Sequence, residues 1–501
     1  MYWITKISID NFKAFPTAIH PIEIKPLNHL LIYGENGSGK SSVFKALKSF
    51  LRSSGKPTIP FELNEFSKNT GNINGIVGLE ISQIAGNGTV LDNPTTYLFT
   101  SAPENSSNSI SVFQLADKIK GFLDYKALLK AHFINVREGI NPNIFNFLIR
   151  DLLSESQIPN PAGGSTYVDL LPTYQRISDD ITKNAVTSKK HINGLTELKV
   201  FNSSLQTLLR DVFGLTNTYF REYFQDPKIS VDIKISDIEL IEIKGKKRLK
   251  EEMFFKISYA GTELPLYHVF LNEARLSALS ISIFFASIKV YPLAAIDLRV
   301  IFLDDIFIGL DNSNRIPLLK LLKREFAEEN FQLIISSYDK EWYELVKQWF
   351  SSENMKYKTI EMYFDRNEDP TTPDKSVIIN AETNYEKAED SFKKKDYAAA
   401  GNYLRKECEY ILKVLLPDTF KITKEGIEIQ ELEGLLQKLV EYYDACGLPA
   451  PQELINSIKI YRKLVLNPSS HADLKCPIYR NEVIEAFSMV RSLKTIPHLE
   501  R

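Results

Sequence analysis

The spacing of apolar residues names most of the elements of this chain before any chemistry is considered. In residues 2–10, Trp3, Ile7 and Ile9 share a period-2 face with Thr5 between them. Lys6, Ser8 and Asp10 take the other face, where only Ile4 breaks the polar run. That pattern predicts a half-buried strand. A second strand pattern lies around Ile19–Ile24, and Leu30-Leu31-Ile32-Tyr33 is a continuous apolar run of the kind that fills a strand buried on both faces. Val43, Phe44, Ala46, Leu47, Phe50 and Leu51 then recur at helical spacing. Residues 74–115 read as short strands, Gly75–Ile84 and Thr95–Thr100, with Ala102–Ser109 as an exposed loop. Residues 120–155 read as helical, on Phe122, Leu123, Leu128, Leu129, Phe133 and Ile134.

Pro159–Ser165 is a turn-rich break. From Tyr167 to about Phe224 the pattern is mainly helical, with a turn near Lys189–Gly194, which predicts a helical hairpin. Ile229–Ile243 and Met253–Tyr259 read as strands flanking a basic stretch, Lys244–Lys250. That stretch suits either a phosphate contact or a solvated hairpin tip. An apolar helix runs to about Val290, and Leu298–Leu303 and Gln332–Ser337 are buried strands. Residues 366–380 are polar and proline-bearing at their start, as in a linker. Five helical patterns follow: Asn384–Lys394, Tyr397–Val414, Ile429–Tyr443, Pro451–Leu464 and Asn481–Leu493. The expected organisation is an α/β unit in two halves, 1–166 and 227–365, a helical insertion at 167–226, and an all-α domain at 381–501.

Composition narrows the choice. At 501 residues the chain is long enough for two or three domains. Lys plus Arg number 61 against 63 Asp plus Glu, so nucleic acid could be met only through local basic patches. The three cysteines, Cys408, Cys446 and Cys476, lack CxxC spacing, which argues against a disulfide framework or a zinc site. No apolar run approaches the roughly twenty residues that span a bilayer. A cytoplasmic protein without a membrane partner is the expectation.

Chemistry concentrates at a few places. Gly34-Glu35-Asn36-Gly37-Ser38-Gly39-Lys40-Ser41 fits the P-loop pattern between a strand and a helix, with Ser42 next in line. Its glycines let backbone N–H groups wrap a phosphate. Lys40 can reach the β- and γ-phosphates and the Ser41 hydroxyl can bind Mg²⁺. These residues predict nucleoside triphosphate binding. Leu298-Arg299-Val300-Ile301-Phe302-Leu303-Asp304-Asp305 is a buried strand ending in two carboxylates, the Walker B arrangement. Asp304 suits Mg²⁺ and Asp305 suits activation of water, although Asp is one methylene shorter than the usual Glu.

The opening, a strand, Asn11-Phe12-Lys13-Ala14-Phe15, a strand and a P-loop, resembles the SMC, RecF-type and double-strand-break-repair ATPases of the ABC class. The resemblance places Lys13 near the nucleotide, although a surface lysine would look the same. Leu271-Asn272-Glu273-Ala274-Arg275-Leu276-Ser277 resembles the ABC signature, with Asn272 for its serine and Ala274 for its glycine. A plain helix cap remains the alternative. Gly309-Leu310-Asp311 resembles the D-loop, and Tyr338 occupies the position of the usual switch histidine. A glutamine-loop equivalent is not evident; Phe122–Lys126 is the candidate, with a plain helix start as the alternative.

The resemblance implies an ABC-ATPase head using ATP and Mg²⁺, with an antiparallel β lobe and a short helical insertion. It implies a homodimer or higher homo-oligomer with Asn272, Glu273 and Asp311 at the interface. Only about sixty residues lie between the two halves, too few for the long coiled-coil arm of SMC relatives. The wording LNEARLSALS with DDIFIGLDNSNR also resembles ATPases of bacterial anti-phage operons of the Septu type, which implies a partner nuclease encoded nearby. The alternatives are a RecF-like DNA-repair or loading ATPase, and a HEPN-like ribonuclease toxin using His471 in the C-terminal helices. Arg462 and His471 are too widely spaced for the HEPN motif, so an assembly module is the expectation there.

Overall fold

In the computed structural model, residues 57, 86–87, 127–140, 142, 225–226, 236, 311, 368, 370–371, 381–383, 424–426, 471–477 and 497–501 are left out; the structure describes all others. The chain divides into two compact units, Met1–Ile379 and Asn380–Arg501.

The first unit is built on a six-stranded sheet. In spatial order its strands are Lys375–Asn380, Tyr357–Asp365, His29–Gly34, Gln332–Ser337, Val300–Asp304 and Phe122–Asp124. The ladders from Tyr357–Asp365 through to Phe122–Asp124 are all parallel. Both faces are covered, which is why these strands read as unbroken apolar runs. On one face Leu30, Ile32, Phe302 and Ile334 join a core with Val43, Phe44, Leu47 and Phe50 of the helix Lys40–Gly55. On the other, Leu31, Leu303, Leu333 and Ile335 pack in a second core with the helices Lys189–Glu222 and Glu273–Lys289. The carboxyl ends of three neighbouring strands thus deliver Gly34, Ser336–Ser337 and Asp304 to one edge, where parallel sheets place ligands.

A separate antiparallel sheet, ordered Ile22–Glu23, Tyr2–Asp10, Ile76–Gln83, Thr95–Thr100, forms the β lobe. Its first strand departs from simple alternation. The register slips between Ile4 and Lys6, so Ile4 joins Ile7 and Ile9 in one core while Trp3 packs at a tilt against His29. Gln332 ties the two sheets together. Its buried amide accepts from Ile4 N (2.9 Å) and donates to Ile4 O (3.0 Å).

Several expectations are corrected. Phe122–Asp124 is not a helix start but the edge strand beside the Walker B strand, pairing Asp124 with Asp304. Of the rest of the stretch read as helical, Asn146–Leu152 is a π-helix and 127–140 lies outside the described residues. The insertion is the hairpin Leu170–Thr182 and Lys189–Glu222, but the turn precedes Lys189 rather than following it. Ser188 caps the second helix by accepting from His191 N (3.2 Å), and the helix continues through Gly194. The supposed linker at 366–380 carries Lys375–Asn380, the edge strand of the main sheet. Its β-branched Val377, Ile378 and Ile379 favour a strand, and the polar residues ahead of them masked that signal.

The second unit is helical: Asn384–Lys393, Tyr397–Leu415, Leu432–Ala445, Gln452–Tyr461 and Arg480–Lys494. Its core gathers Leu404, Cys408, Leu412, Leu435, Leu439, Ile458 and Val490. The expected fourth helix is shorter than its pattern suggested, because Arg462–Leu466 winds as a π-helix. His471 lies outside the described residues, so the toxin reading gains no site here.

Candidate nucleotide site

The loop Gly34–Gly39 is shaped by side chains it lacks. Gly37 and Gly39 hold φ of 89° and 103°, which only glycine adopts without strain. A Cβ on Gly39 would lie 2.5 Å from the Phe15 ring, and one on Gly34 would strike the Ser38 hydroxyl. Lys40, 4% exposed, opens the helix and folds back over the loop. Its Nζ donates to Gly34 O at 2.6 Å and Glu35 O at 3.2 Å, and lies 3.7 Å from Asp305 Oδ2. Glu35, Asn36, Gly37 and Ser41 are exposed. The Ser38 Oγ is buried without a hydrogen-bond partner, a polar atom left over inside the loop.

The two carboxylates are held differently. Asp304 is buried, and its Oδ1 accepts from Ser336 Oγ at 2.6 Å. Asp305 sits just past the strand with φ of 53°, in the left-handed region that costs a non-glycine residue about 1 kcal/mol. Its N donates to Ser336 O (3.3 Å) and its Oδ1 accepts from Tyr338 N (2.9 Å). Burial raises the Asp305 pKa above the ordinary 3.8; Lys40 pulls the other way and Asp304 adds to the rise. Tyr338, exposed and expected from the sequence at the switch position, contributes its backbone N–H to this carboxylate.

The Asn11–Phe15 turn docks on the same loop. Ala14 N donates to Ser42 Oγ (3.3 Å), which ties the turn to the start of the helix Lys40–Gly55. Lys13, in a left-handed backbone conformation (φ 48°), forms an ion pair with Glu62. Asn272 caps the helix Glu273–Lys289, its Oδ1 accepting from Arg275 N at 3.0 Å. Asn272 and Glu273 are exposed and Ala274 is half-buried at the helix start. Asp311 lies outside the described residues. In the basic hairpin, Lys244 and Gly245 form the turn (φ 51° and 72°), and Lys247 donates to Asn184 O at 2.8 Å.

Residues 3–361 match the family model described as the RecF/RecN/SMC N terminal domain. The chain belongs to that family. It is therefore an SMC/RecF-like ABC ATPase head that binds ATP, in a family that typically uses Mg²⁺ and whose SMC heads dimerise through ATP. No curated protein matches it. Among solved structures, the ATPase head is similar to an SmcHead bound to the C-winged helix domain of ScpA, at 14% identity and TM-score 0.36, covering 76% of this chain and 98% of that one. It is also similar to the SMC head domain from Thermotoga maritima, at 14% identity and TM-score 0.31, covering 76% and 99%. A third is the Smc head domain with an extended coiled coil from Pyrococcus furiosus, bound to the C-terminal domain of ScpA. There the identity is 12% and the TM-score 0.34, covering 79% and 99%. Among the described residues of this ATPase head, no helix is long and apolar enough to cross a membrane.

The residues present fit an anionic, metal-bound nucleotide. The orphaned Ser38 hydroxyl, three glycines that leave no Cβ at their positions in the loop, a buried lysine and the carboxylates Asp304 and Asp305 could together offer donors, a cation and a metal ligand. Sequence reasoning missed Ser336, because a serine inside QLIISS reads as a strand residue. It also missed Arg315 and Asp339, whose ion pair at 3.1 Å joins two helices that are distant in the chain. The signal available was a serine pair ending an otherwise apolar strand.

Proposed function

We propose that this chain hydrolyses ATP as a head-to-head homodimer, each nucleotide held by the P-loop of one subunit and the Asn272 segment of the other. The observation that carries the reading is the approach of Lys40, which opens the helix after the loop, to Asp305, just past the strand Val300–Asp304, with 3.7 Å between them and the strand Gln332–Ser337 lying between the two parent strands. Lys40 would meet the β- and γ-phosphates, and loop N–H groups with the Ser38 hydroxyl would line the phosphate path. Ser41 and Asp304 would hold Mg²⁺, which neutralises phosphate charge when bound. Ser336 keeps the Asp304 carboxylate oriented through its hydrogen bond. Asp305, made more basic by burial, would take a proton from the attacking water. Lys13 is better placed to brace the loop through its turn than to meet phosphate, given its ion pair with Glu62.

The finer reading is that ATP-dependent closure gates a separate nuclease in anti-phage defence. The LNEARLSALS and DDIFIGLDNSNR wording supports it, together with the lack of an HNH-type or TOPRIM-type cluster in the sequence. Sizing the purified chain with and without Mg²⁺-ATP, alongside steady-state turnover, tests the core proposal. Turnover without any ATP-dependent association would remove the composite-site model, and absence of turnover and association together would remove the enzyme reading.

A further inference from the structure

Asp305, Phe307, Arg315, Ser337, Tyr338 and Asp339 line one small cleft beside the candidate catalytic carboxylate. Arg315, in the first turn of the helix Asn312–Glu325, is largely buried there, its side chain 17% exposed. Three restraints, one from Leu310 and two from the start of the helix Lys340–Ser352, converge on its guanidinium. Nε donates to Leu310 O at 3.2 Å, Nη1 pairs with Asp339 Oδ2 at 3.1 Å, and the plane lies 5.2 Å over the Trp342 ring. A planar, permanently charged fork can satisfy all three at once; an ammonium cannot.

Asp339 passes the restraint on. Its Oδ1 accepts from Trp342 N (3.0 Å), capping the helix Lys340–Ser352, and its own N donates to Ser337 Oγ (3.1 Å). The preceding residue, Tyr338, donates its N–H to Asp305 Oδ1. The carboxylate that hangs from this hydrogen bond sits on a left-handed backbone, a conformation that persists only when its surroundings over-determine it. We propose that Arg315 is a positioning residue: by clamping Asp339 to the backbone at Leu310, it holds the Tyr338 N–H in place and so aims Asp305. This rests on Asp305 being the water-activating carboxylate.

Three variants separate positioning from mere stability. Asp339→Asn keeps a capping oxygen and size but removes the charge that Arg315 grips. Arg315→Gln removes the fork, and Arg315→Lys keeps charge without the three-way geometry. The expected result is a kcat lower by about 10- to 100-fold for Arg315→Gln and Asp339→Asn, the cost of a small misplacement. ATP Kd should stay within about twofold, because neither residue meets phosphate in the proposed site. Arg315→Lys should recover only part of the rate, and Arg315→Gln/Asp339→Asn should be no slower than the worse single variant, since both cut one link. Wild-type kcat in a folded Asp339→Asn, or rate losses that simply multiply in the double variant, would overturn the proposal. If Arg315→Gln fails to fold, Asp339→Asn alone decides. Asp305→Ala is measured beside them. An inactive Asp305→Ala with a fully active Asp339→Asn defeats the relay only, whereas a fully active Asp305→Ala defeats the role of Asp305 and the relay together.

Discussion

The buried Lys40 and the half-buried Asp305 form an ion pair across the P-loop, Nζ to Oδ2 at 3.7 Å, while the same ammonium donates to the Gly34 carbonyl at 2.6 Å. One cation thus faces the loop that would hold phosphate and the carboxylate that would activate water. Its charge also offsets the mutual repulsion of Asp304 and Asp305, which otherwise raises the Asp305 pKa further.

Lys40→Ala is expected to weaken ATP binding by about 100-fold, the equivalent of about 3 kcal/mol of charge-assisted hydrogen bonding. Titration with a fluorescent ATP analogue checks this. Unchanged affinity would mean that the loop does not carry the phosphates.

Asp305→Ala should retain ATP and lose turnover by about 10²- to 10⁴-fold, the usual worth of a general base. The nucleotide-bound dimer should then accumulate in sizing experiments. Asp304→Ala should instead weaken Mg²⁺-dependent binding and leave the Ser336 hydroxyl without its acceptor. The wild-type rate should climb with pH through a carboxylate pKa above 3.8, because only the deprotonated Asp305 can accept the proton. Wild-type turnover by Asp305→Ala rules out its role.

Asn272 can be tested cleanly because its side chain caps a helix. Aspartate caps as well, so Asn272→Asp should fold normally, whereas Asn272→Ala should cost about 1 kcal/mol of stability. If the residue faces a γ-phosphate on the partner subunit, Asn272→Asp sets like charges together and should block ATP-dependent association while sparing first capture of ATP. Mixing it with Lys40→Ala should restore one composite site free of either change and recover partial turnover. Normal association by Asn272→Asp would leave this segment as a helix cap alone.

His29 predicts a pH dependence of the fold. It is buried between Trp3 and Phe350, its Nδ1 accepts from Leu333 N (3.1 Å), and burial lowers its pKa from 6.5 to about 4. Between those values the unfolded chain binds the proton and the folded one does not. Stability from the neutral ring is therefore complete above pH 6.5 and is lost progressively as pH falls toward 4, by about 3 kcal/mol in full. Urea midpoints at pH 7 and pH 5 check it. A His29→Gln variant should show a shallower fall, and an identical fall would assign the effect to other groups.

The sequence alone determined the parts whose chemistry is local. A Gly-rich loop between a buried strand and a helix has one common physical use, and Gly34, Gly37, Gly39, Lys40 and Ser41 announce it within eight residues. Strands covered on both faces are also legible, since an unbroken apolar run has few other homes. Short edge strands are not: the residues of Phe122–Asp124 suit a helix as well and take their form from a neighbour's hydrogen bonds, while the β-branched run in Lys375–Asn380 is masked by the polar residues ahead of it. Only the tertiary structure decided which distant residues hold the carboxylates. Ser336 reaches Asp304, and Arg315 reaches Asp339, across separations of 32 and 24 residues. Parallel pairing sets Asp304 beside Ser336, helix packing sets Arg315 beside Asp339, and no periodicity along the chain encodes which side chains then meet.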